Sequence, residues 1–185
     1  KTILKGYKMK RILISILAIC SISIKANAQT IAGYSFESYA TAKNLAPQKA
    51  KINYASNPTA KYFKTRITAS YKSGKVDFAS YYITTIWGCG ADCISGVMVD
   101  VRDGKIYDLP LGEDAGLMSC DSEKKTTYTA TSSLFVTTTC HETEIENTPN
   151  YKEEKTFFIN MWNEPKKKFE LIKTVEKTDI KKKTY

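Results

Sequence analysis

Four cysteines follow residue 28 of this 185-residue chain: Cys89, Cys93, Cys120 and Cys140. Cysteines can pair, bind a soft metal or attack an electrophile, and spacing decides between these. An even number behind an export signal suits two disulfides, for which three connectivities exist. Cys89 and Cys93 would close a tight loop around Gly90, a residue free to take backbone angles closed to others. Cys120 and Cys140 would join neighbouring strands. The favoured pairing is therefore Cys89–Cys93 with Cys120–Cys140. A zinc site would call for two Cys-x2-4-Cys pairs, or cysteine pairs with histidine pairs. The chain has one Cys-x3-Cys and a single histidine, His141. No metal and no cofactor is expected.

Other reactive groups are sparse. A Ser-His-Asp hydrolase would have to use His141, which sits among Cys140, Glu142, Glu144 and Glu146 at an expected strand end. There is no Gly-x-Ser-x-Gly elbow and no phosphate-cradling glycine loop. Asp100, Asp103, Asp108, Glu113 and Asp114 cluster near one hairpin. Paired carboxylates could cleave a glycosidic bond, and oxygens could hold calcium, but the calcium-loop spacing is not matched. These acids read as turn residues facing water. Eleven of the twelve tyrosines follow residue 28, and Tyr81, Tyr82 and Trp87 fall in one short strand. Exposed aromatics on a sheet can stack on sugars or anchor a protein partner. These three form the candidate binding surface, against the alternative that they belong to the core.

Export is written in residues 9–28. Lys10 and Arg11 follow Met9, residues 12–24 are apolar apart from three serines, and Ala26-Asn27-Ala28 is a small-x-small cleavage site. The apolar run is about 13 residues where a spanning helix needs about 20. Residues 1–8 read as an upstream extension. Cys20 could carry a lipid, but Ile19 before it is large where a lipoprotein signal wants a small residue. The expected compartment is periplasmic or secreted, with no membrane span after cleavage. The charge agrees. Of 28 basic residues, six lie in residues 1–28 and eight in residues 165–185. The basic surplus thus marks an export segment and a tail, not a nucleic-acid surface.

The elements that must position these groups are mainly strands. Asn57 as N-cap, Pro58 behind it and Gly74 as stop bracket an amphipathic helix at about 58–72 with Phe63, Ile67 and Tyr71 on one face. A short helix is expected over 34–46, ended by Pro47. Strands are expected at 81–87, 97–101, 105–109, 126–131, 133–140, 156–162 and 168–172. In the hairpin at Arg102-Asp103-Gly104, a three-residue loop would pair Val99 with Tyr107 and put Val97, Val99, Val101, Tyr107 and Leu109 on one face. Gly104 would then be a left-handed bulge residue. The fold class is α+β: a mainly antiparallel β meander with one helix packed on it. It forms one domain over 29–173, followed by a solvated basic tail over 174–185.

Trp87-Gly88-Cys89-Gly90-Ala91-Asp92-Cys93 resembles the Trp-Gly-Cys-Gly-x-x-Cys loop of a family of exported bacterial proteins with no established activity. The likeness extends over about 60–172, through the Val99 to Tyr107 hairpin, Ser133-Leu134-Phe135-Val136, Trp162 and Phe169-Glu170-Leu171. Where that family usually shows Asn-Phe-Ala-Gly-His-Tyr, this chain has Asp77-Phe78-Ala79-Ser80-Tyr81-Tyr82, so the histidine is missing. The resemblance implies an exported domain and no particular chemistry. Together the residues point to an exported non-catalytic module that binds a protein or glycan in the cell envelope. The alternative is a small carboxylate-dependent hydrolase of the periplasm.

Overall fold

A computed structural model describes residues 29–42, 48–90, 93–111, 120 and 125–182. The export segment, the upstream extension, Cys20, Glu113 and Asp114 lie outside the described residues. The strands are β1 (Thr30–Ile31), β2 (Tyr34–Ser35), β3 (Tyr82–Gly90), β4 (Cys93–Asp100), β5 (Ile106–Asp108), β6 (Thr126–Tyr128), β7 (Leu134–Glu144), β8 (Asn150–Asn163) and β9 (Lys168–Lys182). They form a two-stranded ribbon β1-β2, a sheet β3-β4-β5 and a sheet β6-β7-β8-β9, with every ladder antiparallel. The α+β reading holds.

The helical segment runs as a 3-10 turn Thr59–Phe63 into the helix α1 (Lys64–Ser73). Asn57 Oδ1 accepts the Ala60 N–H at 2.9 Å, and Gly74 N–H closes the last turn on Ser70 O at 2.7 Å. The 34–46 expectation shrinks to a 3-10 turn at Phe36–Tyr39, with 43–47 outside the described residues.

Four layers result. Ala60, Ile67 and Tyr71 cover one face of the first sheet at Ile83, Trp87, Val97, Val99 and Ile106. The other face, through Tyr82, Met98 and Leu109, meets Phe135 and Trp162 of the second sheet. The second sheet's far face, with Leu134, Val136, Phe157 and Ile159, is covered by Phe36 and its partly buried neighbours Ile31 and Tyr34.

This layering corrects the hairpin register. Val97 pairs with Asp108, Met98 with Tyr107 and Val99 with Ile106. The loop has four residues, closed by Asp100 N–H to Lys105 O at 2.9 Å and Gly104 N–H to Asp100 O at 2.8 Å. Val97 and Val99 share their face with Ile106, whereas Tyr107 and Leu109 lie with Met98. Because β4 is buried on both faces, putting the apolar residues on one face does not select the register. Gly104 does take the left-handed backbone, at φ +74°.

The tail boundary also moves. Residues 174–182 are the second half of β9, paired with β8 from Phe158 to Asn150. In that half only Val175 packs against a core cluster, so side-chain burial gives little periodic signal and the ladder is made by backbone.

Candidate functional site

Where β4 ends and the β8-β9 turn folds over it, six polar side chains converge. Asp100 closes β4, and its side chain is 1 % exposed. Arg102 follows on the loop and donates through Nε at 2.8 Å and a terminal nitrogen at 2.5 Å to that carboxylate. The same Arg102 nitrogen reaches Glu164 Oε1 at 2.5 Å. Lys167, in a left-handed backbone at φ +51°, brings Nζ to Glu164 at 2.5 Å, Tyr82 Oη at 2.9 Å and Asp100 at 3.3 Å. Tyr82 donates to Glu164 Oε2 at 2.6 Å, and Trp162 Nε1 donates to the same oxygen at 2.7 Å.

Two carboxylates face two cations, so the cluster is neutral and internally satisfied. Burial alone would raise the Glu164 pKa, but hydrogen bonds from Lys167, Tyr82, Arg102 and Trp162 outweigh it and bring the group down to about 2. Asp100 moves the same way: burial opposes, and the Arg102 hydrogen bonds and charge win. Burial, then the hydrogen bond to Glu164, holds the Tyr82 phenol protonated. Glu164, Asp100 and Tyr82 are thus held away from proton exchange near neutral pH, which a general acid or base needs. The cluster is a clamp between the two sheets.

The clamp has a pH signature. A carboxyl depressed in the folded state contributes stability that is complete above its unfolded pKa, about 4.3. That contribution is lost as pH falls through the folded value, about 2. The melting temperature should therefore drop between about pH 4.5 and 2. Glu164→Gln should flatten that drop while lowering stability at pH 7. An unchanged acid profile in the variant would remove Glu164 from the clamp.

Beside the clamp lies an open groove of about 420 Å³. Its lining includes Asn57, Tyr107, Asp108, Trp162, Lys168 and Phe169. The half-buried rings of Tyr107 and Phe169 give the groove its aromatic side, each packed on the buried Trp162 ring, at 5.3 and 5.0 Å between centroids. Asn57 Nδ2, also in the lining, donates to Asp108 Oδ1 at 2.8 Å. Aromatic faces with a few fixed polar groups are what a small recognition site needs.

The sequence-predicted aromatics fare differently. Tyr82 and Trp87 are buried, at 0 % and 4 % exposure, the latter stacked on Phe63 at 4.3 Å. They hold the core and cannot offer a stacking face. Tyr81 is half-buried, with the Arg102 guanidinium 3.8 Å above its ring. Asp100, expected to face water, is buried in the clamp, whereas Asp103 and Asp108 are exposed. His141 is exposed on β7, across from Glu154 and outside the groove lining.

A further carboxyl, Asp77, was not singled out in the sequence. Burial raises its pKa against hydrogen bonds from the Thr84 N–H at 2.9 Å and Oγ1 at 2.7 Å, which occupy both of its oxygens.

The cysteines pair as favoured, Cys89 with Cys93 and Cys120 with Cys140. Cys120 and Cys140 lie against Glu153, itself buried and ion-paired to Lys155 at 2.9 Å and Lys181 at 2.7 Å. Both sulfurs there are spent in the disulfide. Comparison with protein-family models, curated proteins and solved structures found no match to this chain. The site therefore has to be read from its own geometry.

Proposed function

We propose that this is an exported, non-catalytic binding module whose partner is a protein or glycan of the cell envelope, held in the groove beside the clamp. The observation that carries the reading is a groove of about 420 Å³ lined by the half-buried rings of Tyr107 and Phe169, backed by buried Trp162, and by the hydrogen-bonded Asn57–Asp108 pair. Flat rings and a rigid amide–carboxylate pair suit the alternating apolar faces and hydroxyls of a sugar, or an aromatic anchor of a protein. The hydrolase alternative has less support, because Asp77, Asp100 and Glu164 are each tied to protein donors. Two disulfides fit an oxidising compartment. Among the described residues no helix is long and apolar enough to cross a membrane.

Titration of the folded protein with soluble cell-wall glycan fragments and envelope protein extract fractions, read by tryptophan fluorescence, tests the groove. A saturable change is expected. Tyr107→Ala should weaken it about tenfold or more, as loss of an aromatic anchor does, and His141→Ala should leave it unchanged. A hydrolase substrate panel run beside it should show no turnover. Turnover abolished by Asp108→Asn would replace this reading with the carboxylate hydrolase.

A further inference from the structure

The two disulfides differ in a way that assigns them different chemistry. We propose that Cys89–Cys93 is a thiol-exchange site, reversibly reduced by a dithiol while the protein stays folded, and that Cys120–Cys140 is not. In the β3-β4 ladder Gly88 pairs with Ile94 and Gly90 with Cys93, so Cys89 sits in a register shift without a partner across the ladder. A bulge of this kind re-aims the side chain it carries. Cys89 is exposed and Cys93 half-buried. Cys120 and Cys140 are 4 % and 2 % exposed.

Cys89 is also flanked by two glycines, Gly88 and Gly90. A Cβ on Gly90 would meet nothing within 4 Å, and one on Gly88 only the Cys93 carbonyl oxygen at 3.9 Å. Neither neighbour puts a side chain beside the sulfur. Just below the loop the ladder is anchored: Trp87 pairs with Ser95 and stacks on Phe63, and Ile86 pairs with Gly96. Opening the five-residue loop therefore leaves the helix-covered core in place.

Exchange needs a thiolate to reach one sulfur in line with the bond. Of the two cysteines Cys89 is the exposed one, so its Sγ is the atom assigned to be attacked. A thiolate of the dithiol attacks it, the Sγ–Sγ bond breaks, and Cys93 leaves as a thiolate that takes a proton. The second thiolate of the dithiol then attacks its own sulfur in the mixed disulfide and releases Cys89. Two electrons pass from the dithiol, which becomes a disulfide, to the cystine, which becomes two thiols. At the other bond both residues are buried, Cys120 at 4 % and Cys140 at 2 % exposure, so attack must wait for a local opening.

The test uses dithiothreitol on the folded protein, with iodoacetamide quenching at intervals and mass-spectrometric mapping. Cys89 and Cys93 should be alkylated together, at least about 100-fold faster than Cys120 and Cys140, the factor a rare local opening imposes. Far-ultraviolet circular dichroism should not change, and oxidised glutathione should restore the bond once reductant is removed. The double variant Cys89→Ser, Cys93→Ser should fold and lose only the fast phase. Equal rates at both pairs, faster labelling at Cys120 and Cys140, unfolding on release of Cys89–Cys93, or a fast phase surviving in the double variant would each overturn the proposal. The groove plays no part in these readouts.

Discussion

Gly104→Ala should lower the melting temperature by about 6–12 °C, corresponding to about 3 kcal/mol in a domain of this size. Two separate costs add. The first is conformational: at φ +74° a Cβ is disfavoured by roughly 1–2 kcal/mol. The second is steric. The segment 50–53 lies against the hairpin loop, with Asn53 N–H donating to Gly104 O at 2.9 Å and Ala50 N–H to Val101 O at 2.9 Å. A Cβ on Gly104 would overlap the Lys51 carbonyl oxygen, which is backbone and cannot swing aside. Overpacking of this kind costs roughly 1–3 kcal/mol. Gly33→Ala is the control, since Gly33 has φ +85° but a Cβ there meets nothing within 4 Å. It should show the conformational cost alone. Thermal melts of the two variants giving equal losses would mean that the 50–53 segment does not pack on the loop.

Part of this is legible in the sequence. The Asn57 cap and the Phe63, Ile67, Tyr71 spacing specify the helix because each acts locally. The cysteine pairing follows from two short separations. The Gly104 conformation follows from a turn that needs a left-handed residue. The hairpin register does not, because helix and second sheet bury both faces of β4. The clamp was hidden for a related reason. Asp100 lies within Val97-Met98-Val99-Asp100-Val101, an otherwise apolar run. A carboxylate in a strand buried on both faces must find a cation, and Arg102 two residues on was the available clue. Its other partners, Glu164 and Lys167, come from a turn more than sixty residues away, and no local pattern links them. The groove is equally non-local, joining Asn57, Tyr107 and Trp162.

Asp100→Ala should cost about 2–3 kcal/mol, which would appear as a melting-temperature loss of roughly 4–12 °C. Breaking a fully buried ion pair costs about 3–5 kcal/mol because a charge is stranded. Here the stranded charges are Arg102 and Lys167, whose side chains keep 33 % and 35 % exposure. They can turn partly to water, which puts the cost at or below the low end of that range. Glu164 still neutralises one of them at 2.5 Å. Adding Lys167→Met to Asp100→Ala restores neutrality, so the double variant should be more stable than the two single losses predict by about 1 kcal/mol. Strict additivity in denaturant melts, or an Asp100→Ala loss under about 0.5 kcal/mol, would sink the clamp. The clamp also fixes Trp162, through its Nε1 bonds to Tyr82 and Glu164, and Trp162 with Lys167 lines the groove. Asp100→Ala should therefore weaken a groove ligand that it never touches. The Cys89–Cys93 exchange rate should not change, because that loop lies at the opposite end of β4.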